Sequence, residues 1–303
     1  MRKICVTGGA GFIGSSLVDR LVELGHEVTV IDDLSSGLES QINSKAAFYQ
    51  LDISSASDLP KMERVFKFGQ FDTVYHLAAQ IDLRASLKNP MRDAQINIMG
   101  SLQLMTTAQK FGVGHFIFAS TGGALYEGEI PWTTSSTVNP QSPYGQAKWT
   151  IERYLKFFAP MKASVLRLAN VYGPRQKGAE CGILAIWLQN LKRQESLKIF
   201  GDGTQTRDYV YVDDVVNAFL QMLTYEKGGI WNVGTGVESS LLEIMNLLEK
   251  KLEKALPVAY FPEVPGELYR SCLDSSQLTR DTGWKARYSL SQGLDLLLAW
   301  EKK

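Results

Sequence analysis

A short apolar run, Lys3–Thr7, leads directly into Gly8-Gly9-Ala10-Gly11-Phe12-Ile13-Gly14. From residue 12 to 24 apolar positions then recur at helical spacing, until Gly25 stops the pattern. No other feature of the sequence narrows the fold as much. The glycines satisfy G-x-x-G-x-x-G through Gly8, Gly11 and Gly14, and G-x-G-x-x-G through Gly9, Gly11 and Gly14. A glycine spacing alone is a weak signal. Between a strand and a helix it meets three demands at once: a tight turn, close backbone approach to a pyrophosphate, and close packing of helix on strand. The helix then aims free N–H groups and the positive end of its dipole at the phosphates. The segment is therefore expected to hold a dinucleotide through Gly8, Gly11, Phe12, Ile13 and Gly14.

Asp32 follows the next β-type run, residues 27–31, and lies 18 residues beyond Gly14. A carboxylate there accepts hydrogen bonds from adenosine ribose hydroxyls and repels a 2′-phosphate, so NAD is favoured over NADP. Residues 32–37 contain no Arg or Lys to hold such a phosphate. Asp33, Ser35, Ser36 and Gly37 complete the expected ribose-side turn.

Further β-type runs occupy 48–51, 73–77, 115–119 and 164–168, with helical patterns at 58–68 (Asp58 as cap), 91–111 and 144–158. This alternation implies an α/β fold: a doubly wound parallel sheet of the Rossmann type, with helices on both faces. After Gly173 the pattern changes. Helices near 181–192 and 214–223 mix with short strands at Leu197–Phe200, 208–212 and 230–233. We expect a NAD-binding domain at 1–172 and a smaller mixed α/β lobe for substrate at 173–303, interleaved because no linker separates them.

Composition excludes other classes. Lys+Arg and Asp+Glu both number 32, so the chain lacks the basic excess of a nucleic-acid binder. Cys5, Cys181 and Cys272 are far apart and show no C-x-x-C spacing, which reads as reduced thiols. His26, His76 and His115 do not cluster, so no metal site is expected. No apolar stretch approaches the about 20 residues of a membrane helix, and residues 4–6 are too short for a signal-peptide core. A cytoplasmic protein with no membrane or nucleic-acid partner is expected.

Tyr144-Gly145-Gln146-Ala147-Lys148 places a tyrosine and a lysine four residues apart, on one helix face. A nearby ammonium, together with the positive charge of an oxidised nicotinamide, favours the phenolate and lowers the phenol pKa, so such a tyrosine can act as a general base toward a sugar hydroxyl. The bland alternative is an amphipathic surface pair. Against it, the motif follows a dinucleotide fingerprint and Ala119-Ser120-Thr121, which ends a strand where open α/β sheets bind ligands.

With these pieces in place the sequence resembles the extended short-chain dehydrogenase/reductases, and within them the NAD-dependent nucleotide-sugar epimerases. The resemblance rests on TGGAGFIG (7–14), DDLSSG (32–37), LDI (51–53), HLAAQ (76–80), STGGALY (120–126), YGQAK (144–148), RLANVYGPRQ (167–176), RDYVYVDD (207–214), NVGTG (232–236) and PGE (265–267). It implies Tyr144 as base, Lys148 as its partner and nicotinamide-ribose ligand, and Thr121, with Ser120 beside it, as the assisting hydroxyl. It implies Asp52 and Ile53 beside the adenine, and Leu77, Ala78, Ala79, Gln80, Asn97 and Ala119 along the cofactor. For a UDP-sugar it implies Asn170, Gly182, Ile183, Arg207, Tyr209, Glu267, Arg270 and Ser271. The implied reaction is oxidation at sugar C4 and hydride return to the opposite face, in a homodimer built through a four-helix bundle.

The chain departs from the family pattern in three places. Thr121 precedes Tyr126 by five residues where relatives have four, Glu127-Gly128 replaces Gly-Glu, and Val264 stands where Arg often precedes Pro-Gly-Glu. Arg207 remains for the diphosphate, and Arg270 is expected to compensate for Val264. Ser271 falls at the position where a small residue admits N-acetyl sugars, so both UDP-Glc/Gal and UDP-GlcNAc/GalNAc are expected substrates. The nucleotide itself, UDP, dTDP or GDP, stays open at this point. Gly122 and Gly123 occupy the positions where a dehydratase needs an acid pair, and Asp32 opposes a ketoreductase using NADPH. A uronate enzyme would need a carboxylate clamp, and none is evident. A non-catalytic sensor of this fold could dispense with Tyr144 and Lys148.

Overall fold

The computed structural model describes residues 1–176, 182–225, 227–263 and 268–302. Its strands, in chain order, are β1 (Lys3–Thr7), β2 (Glu27–Asp32), β3 (Ala47–Gln50), β4 (Thr73–His76), β5 (His115–Thr121), β6 (Lys162–Leu168), β7 (Asn170–Tyr172), β8 (Leu197–Phe200), β9 (Thr206–Tyr211), β10 (Gly229–Val233), β11 (Glu238–Ser240), β12 (Val258–Phe261) and β13 (Arg270–Ser271). Seven of them form one parallel sheet in the order β10-β6-β5-β4-β1-β2-β3. The order reverses between β1 and β4, and at such a switch point the carboxyl ends of the strands leave a crevice.

The strands read as near-continuous apolar runs because both faces are covered. Ile4 and Val6 point into one core with Val30, Tyr75 and Ile117, whereas Cys5 points into the other with Ile31, Val74, Phe116 and Phe118. Helices Phe12–Glu23 and Val212–Thr224 pack together against the first core. Tyr75 ties them to the sheet by donating from its hydroxyl to the Phe219 carbonyl at 3.1 Å.

The division near residue 173 does not follow the sheets. β10 comes from the second half of the chain yet forms the edge of the main sheet, paired with β6. The remaining second-half strands build a parallel β8–β12 pair and, with β7 from the end of the first half, a four-stranded sheet in which β11, β13 and β7 all pair with β9. Helices Leu241–Leu252 and Leu290–Glu301 each start with a capping box, Ser240 with Glu243 and Ser289 with Gln292.

The single helix read at 91–111 is instead three segments: Pro90–Ala94, a π-helical turn at Gln95–Gly100, and Ser101–Lys110. Wider turns of this kind mark functional sites, and Asn97 lies within this one. Asp58 does stand at the cap of the Leu59–Gly69 helix. Its side chain, however, accepts from Asp52 N and the Lys61 ammonium rather than from the backbone N–H groups of the helix.

Candidate active site

The glycine loop sits at the switch point because it cannot carry side chains there. Gly8 has φ +74°, and a Cβ on it would stand 2.5 Å from Ala78 N, where β4 ends. A Cβ on Gly14 would overlap the Gly8 carbonyl oxygen. Gly11 caps the Phe12–Glu23 helix with no side chain over its end, so the first-turn N–H groups, Phe12 to Gly14, lack side-chain partners. A pyrophosphate fits this cradle of open amides.

Asp32 is buried at the end of β2. Its Oδ2 accepts from Ala10 N at 3.0 Å and its Oδ1 from Leu34 N at 2.9 Å. The carboxylate therefore braces the glycine loop and the turn that follows β2. Burial pushes its pKa up against these two hydrogen bonds. Gly37 packs where a Cβ would meet Ala10 and Asp32. Ser35 donates twice to the exposed Asp33, and Ser36 is exposed beside them. Across the crevice, Asp52 Oδ1 is held by Ser54, and Ile53 is buried against Gly100. Leu77 and Ala78 both donate backbone N–H to Thr7 O, and Ala79 leads on to Gln80.

The Pro143–Leu155 helix begins at Ser142, whose Oγ accepts from Gly145 N at 3.1 Å. Gly145 lets this helix approach the 121–126 segment, because a Cβ there would overlap the Ala124 carbonyl oxygen. Tyr144 and Lys148 thereby meet the end of β5. Lys148 is buried, and its Nζ donates to Ala119 O at 2.9 Å, lying 4.8 Å from the Phe118 ring centroid and 5.9 Å from that of Tyr144.

The expected lowering of the Tyr144 pKa by Lys148 is not what this structure has. Burial, reinforced by the negative charge of Asp93, pushes the phenol up to about 12, and the Thr121 hydroxyl opposes the rise. Burial draws Lys148 down to about 8, opposed by Asp93 and Glu152. Burial outweighs charge here: Lys148 is buried and Tyr144 is half-buried beside it. Ser120 and Thr121 diverge: Ser120 Oγ donates to the buried Glu152 Oε1 at 2.5 Å, while Thr121 faces Tyr144.

Strand register brings together the residues expected on the substrate side. Asn170 of β7 pairs with Tyr209 of β9, and Arg207 of β9 pairs with Ser271 of β13. A Cβ on Gly123 would stand 3.6 Å from Asn170 Oδ1 and 3.9 Å from Ser271 Oγ, so these three positions share one space. Arg207 Nη1 donates to Thr206 O and Tyr269 O. Arg270, expected to compensate for Val264, is held by Glu238 in a two-pronged ion pair. Gly182, with φ +72°, opens the Gly182–Lys192 helix, and Ile183 follows it. Glu267 and Val264 lie outside the described residues.

The sequence profile of the NAD dependent epimerase/dehydratase family matches residues 4–234. The chain belongs to this family. A UDP-glucose 4-epimerase of Mycolicibacterium smegmatis is 40% identical over 304 residues, covering 96% of each chain. The structure of a UDP-glucose 4-epimerase from Thermotoga maritima with UDP-glucose superimposes with a TM-score of 0.94 at 42% identity, covering 99% of this chain and 98% of that one. A UDP-N-acetylglucosamine 4-epimerase from Methanobrevibacter ruminantium, in complex with UDP-N-acetylmuramic acid, superimposes at 0.92 with 30% identity, covering 99% and 98%.

In this epimerase/dehydratase chain, several site-forming residues escaped the sequence reading. Asp93 accepts from Gln80 and Asn97. Glu152, Arg167 and Asn232 form a buried polar chain behind Ser120. Asp208 folds the 234–236 turn by accepting from Thr235 and Gly236 N–H groups. Only Glu152 left a usable signal, as the next i+4 position after Tyr144 and Lys148. His76 is a satisfied core residue between Thr7 and Ser101. Among the described residues no cluster of three or more His, Cys, Asp or Glu is placed to hold a metal, and no helix is long and apolar enough to cross a membrane.

Proposed function

We propose that this chain interconverts UDP-hexoses epimeric at C4, both UDP-glucose/UDP-galactose and the N-acetylated pair. The observation that carries this reading is the meeting of Tyr144, Lys148 and Thr121 at the carboxyl end of β5, beside the glycine cradle at the switch point. Tyr144 removes the C4 hydroxyl proton and later returns it. Thr121 donates a hydrogen bond toward that oxygen and eases ionisation of the phenol. Lys148 holds the cofactor ribose and keeps positive charge near the phenol. NAD, when bound, takes up the C4 hydride and gives it back to the opposite face of the sugar.

Gly8, Gly11, Phe12, Ile13, Gly14, Asp32 and the 33–37 turn hold the cofactor's phosphates and adenosine, with Asp52, Ile53, Leu77, Ala78, Ala79, Gln80, Asn97 and Ala119 along its length. Asn170, Gly182, Ile183, Arg207, Tyr209, Glu267 and Ser271 hold the nucleotide sugar. In the same reading residues 1–172 supply most of the cofactor side and 173–303 most of the sugar side, in a cytoplasmic enzyme. The Leu87, Met91 and Phe157 side chains are 56%, 80% and 70% exposed. They lie on the helical segments 83–111 and 143–158, which supports a homodimer through these helices. Met91→Glu is then expected to yield monomers in analytical ultracentrifugation.

The deciding experiment is incubation of the protein, with NAD bound, with UDP-galactose and no reductant. UDP-glucose should form with no net NADH, and Tyr144→Phe should bind NAD yet not turn over. A 4-keto-6-deoxy product, or full activity of Tyr144→Phe, would sink this reading.

A further inference from the structure

Asp93 is 1% exposed. It lies in the short Pro90–Ala94 helix, which packs on the Pro143–Leu155 helix that carries Tyr144 and Lys148. One carboxylate oxygen is fully used: Oδ1 accepts from Gln80 Nε2 and Asn97 Nδ2, each at 2.9 Å. Asn97 also grips the Gln80 backbone, accepting its N–H and donating to its carbonyl. The other oxygen, Oδ2, is buried with no hydrogen-bond partner.

An orphaned oxygen on a buried carboxylate is costly, and such groups persist where they serve a purpose. The brace to Gln80 and Asn97 does not require a charge, because an asparagine would offer one oxygen to the same two donors. The charge therefore needs its own explanation, and its object lies across the helix contact. Burial raises the Asp93 carboxyl, and the Gln80 and Asn97 hydrogen bonds together with the Lys148 charge oppose that rise and favour the ionised form. Asp93 in turn raises both Lys148 and Tyr144. Among the other charges, Arg84, Lys88 and Arg92, on this and the preceding helix, are exposed to solvent. Glu152, on the facing helix, is paired with Arg167 and also raises Lys148, but of the two carboxylates only Asp93 acts on both Lys148 and Tyr144.

We propose that Asp93 is a positioning residue whose fixed negative charge sets the ionisation of the Tyr144–Lys148 pair, while its Oδ1 braces the Gln80–Asn97 segment. The inference rests on Tyr144 being the base. It opposes the burial that would discharge Lys148, and it holds Tyr144 protonated until substrate and cofactor are both in place.

Asp93→Asn keeps the brace and removes the charge. Both pKa values should fall. The two limbs of the kcat profile, which belong to the Tyr144–Lys148 pair, should then both move to lower pH, by about half a unit or more. Loss of a structural contact would lower the rate without moving both limbs in one direction. An independent readout is the phenolate absorbance of the NAD-bound protein titrated with pH, taken as the difference from the same substitution combined with Tyr144→Phe. The Tyr144 transition should fall by the same half unit in Asp93→Asn and stay at its wild-type position in Asp93→Glu. If Asp93→Asn does not fold, Asp93→Ser is titrated in its place. A folded, uncharged variant with unmoved limbs and an unmoved phenolate transition overturns the inference. Full activity of Tyr144→Phe would instead overturn the assignment of the base, and the phenolate titration would still decide the role of Asp93.

Discussion

Ser120 Oγ donates to Glu152 Oε1 at 2.5 Å, beneath the strand end whose next residue, Thr121, faces Tyr144. Successive residues of a strand point to opposite faces, so two adjacent hydroxyls serve different purposes. The one beneath continues into a buried chain. Arg167 donates to both Glu152 oxygens and, through Nη1, to Tyr126 Oη at 2.7 Å. Tyr126 donates to Asn232 Oδ1 at 2.7 Å, and Asn232 reaches the Trp132 carbonyl. This chain of hydrogen bonds joins β5, β6, β10 and the helix of the Tyr144–Lys148 pair, so the reacting end of β5 is fixed from below.

Removing one member of a buried ion pair leaves the other charge unpaired, which costs about 3–5 kcal/mol. Arg167→Met should therefore lower the unfolding free energy by about that much, read by urea denaturation. Replacing both partners, as in Arg167→Met with Glu152→Leu, should recover a large part of the loss. A double variant as unstable as the sum of its singles would show that the pair is not the unit of stabilisation.

The local signals of the first half were legible because each element carries its own mark: a glycine turn after a strand, a carboxylate at a strand end, a Tyr-x-x-x-Lys on one helix face. β10 was not, since nothing in Gly229–Val233 says which sheet it joins, and pairing with β6 is a non-local choice. The π-helical turn at Asn97 was hidden for a similar reason. It carries the side-chain network of Asn97 with Gln80 and Asp93, which spacing along one helix does not reveal. Tyr144 shows the same limit in its chemistry. Thr121 and Lys148 were readable, but Asp93 and the burial that dominates the Tyr144 pKa were not.

Two glycines of the same motif should separate packing from binding. A Cβ on Gly14 overlaps the backbone of Gly8, so Gly14→Ala should destabilise the cofactor-free protein by about 1–3 kcal/mol. A Cβ on Gly11 stands 3.3 Å from the Gly8 carbonyl oxygen, a contact that small shifts relieve. Gly11→Ala should cost less than about 1 kcal/mol as a cap change, yet weaken NAD by crowding the open helix end. Thermal melts with and without NAD, with equilibrium binding, would read both. Equal losses of stability in the two variants would contradict the distinction.

Acid should weaken the fold through its neutral core histidines. Burial lowers His76 and His115 to about 3, whereas an unfolded histidine titrates near about 6.5. Below that value the unfolded chain binds protons that the folded one refuses, so stability falls with pH, by up to about 2 kcal/mol per histidine at pH 5. His115→Gln keeps a partner for Ser164, whose Oγ lies 2.8 Å from His115 Nε2. The difference in unfolding free energy between pH 7 and pH 5 should shrink by about 2 kcal/mol in this variant. An unchanged difference would mean that His115 does not contribute to acid destabilisation.

The width of the proposed sugar pocket can be tested from its two sides. Ser271 and Gly123 border the same space, and Gly123 brings no side chain to it. A C2 acetamido group needs more room than a hydroxyl. Ser271→Tyr fills the space outright and should cut kcat/KM for UDP-N-acetylglucosamine by about a hundredfold or more, the cost of forcing a bulky group where it does not fit, while UDP-galactose turnover falls far less. Gly123→Ala adds one methyl group at ordinary contact distance from Asn170 and Ser271, so it should shift the same ratio in the same direction by a smaller factor. The measurement is the ratio of the two kcat/KM values in each variant, which cancels losses shared by both substrates. If Ser271→Tyr leaves that ratio unchanged, the pocket beside Ser271 is not where the acetamido group is accommodated.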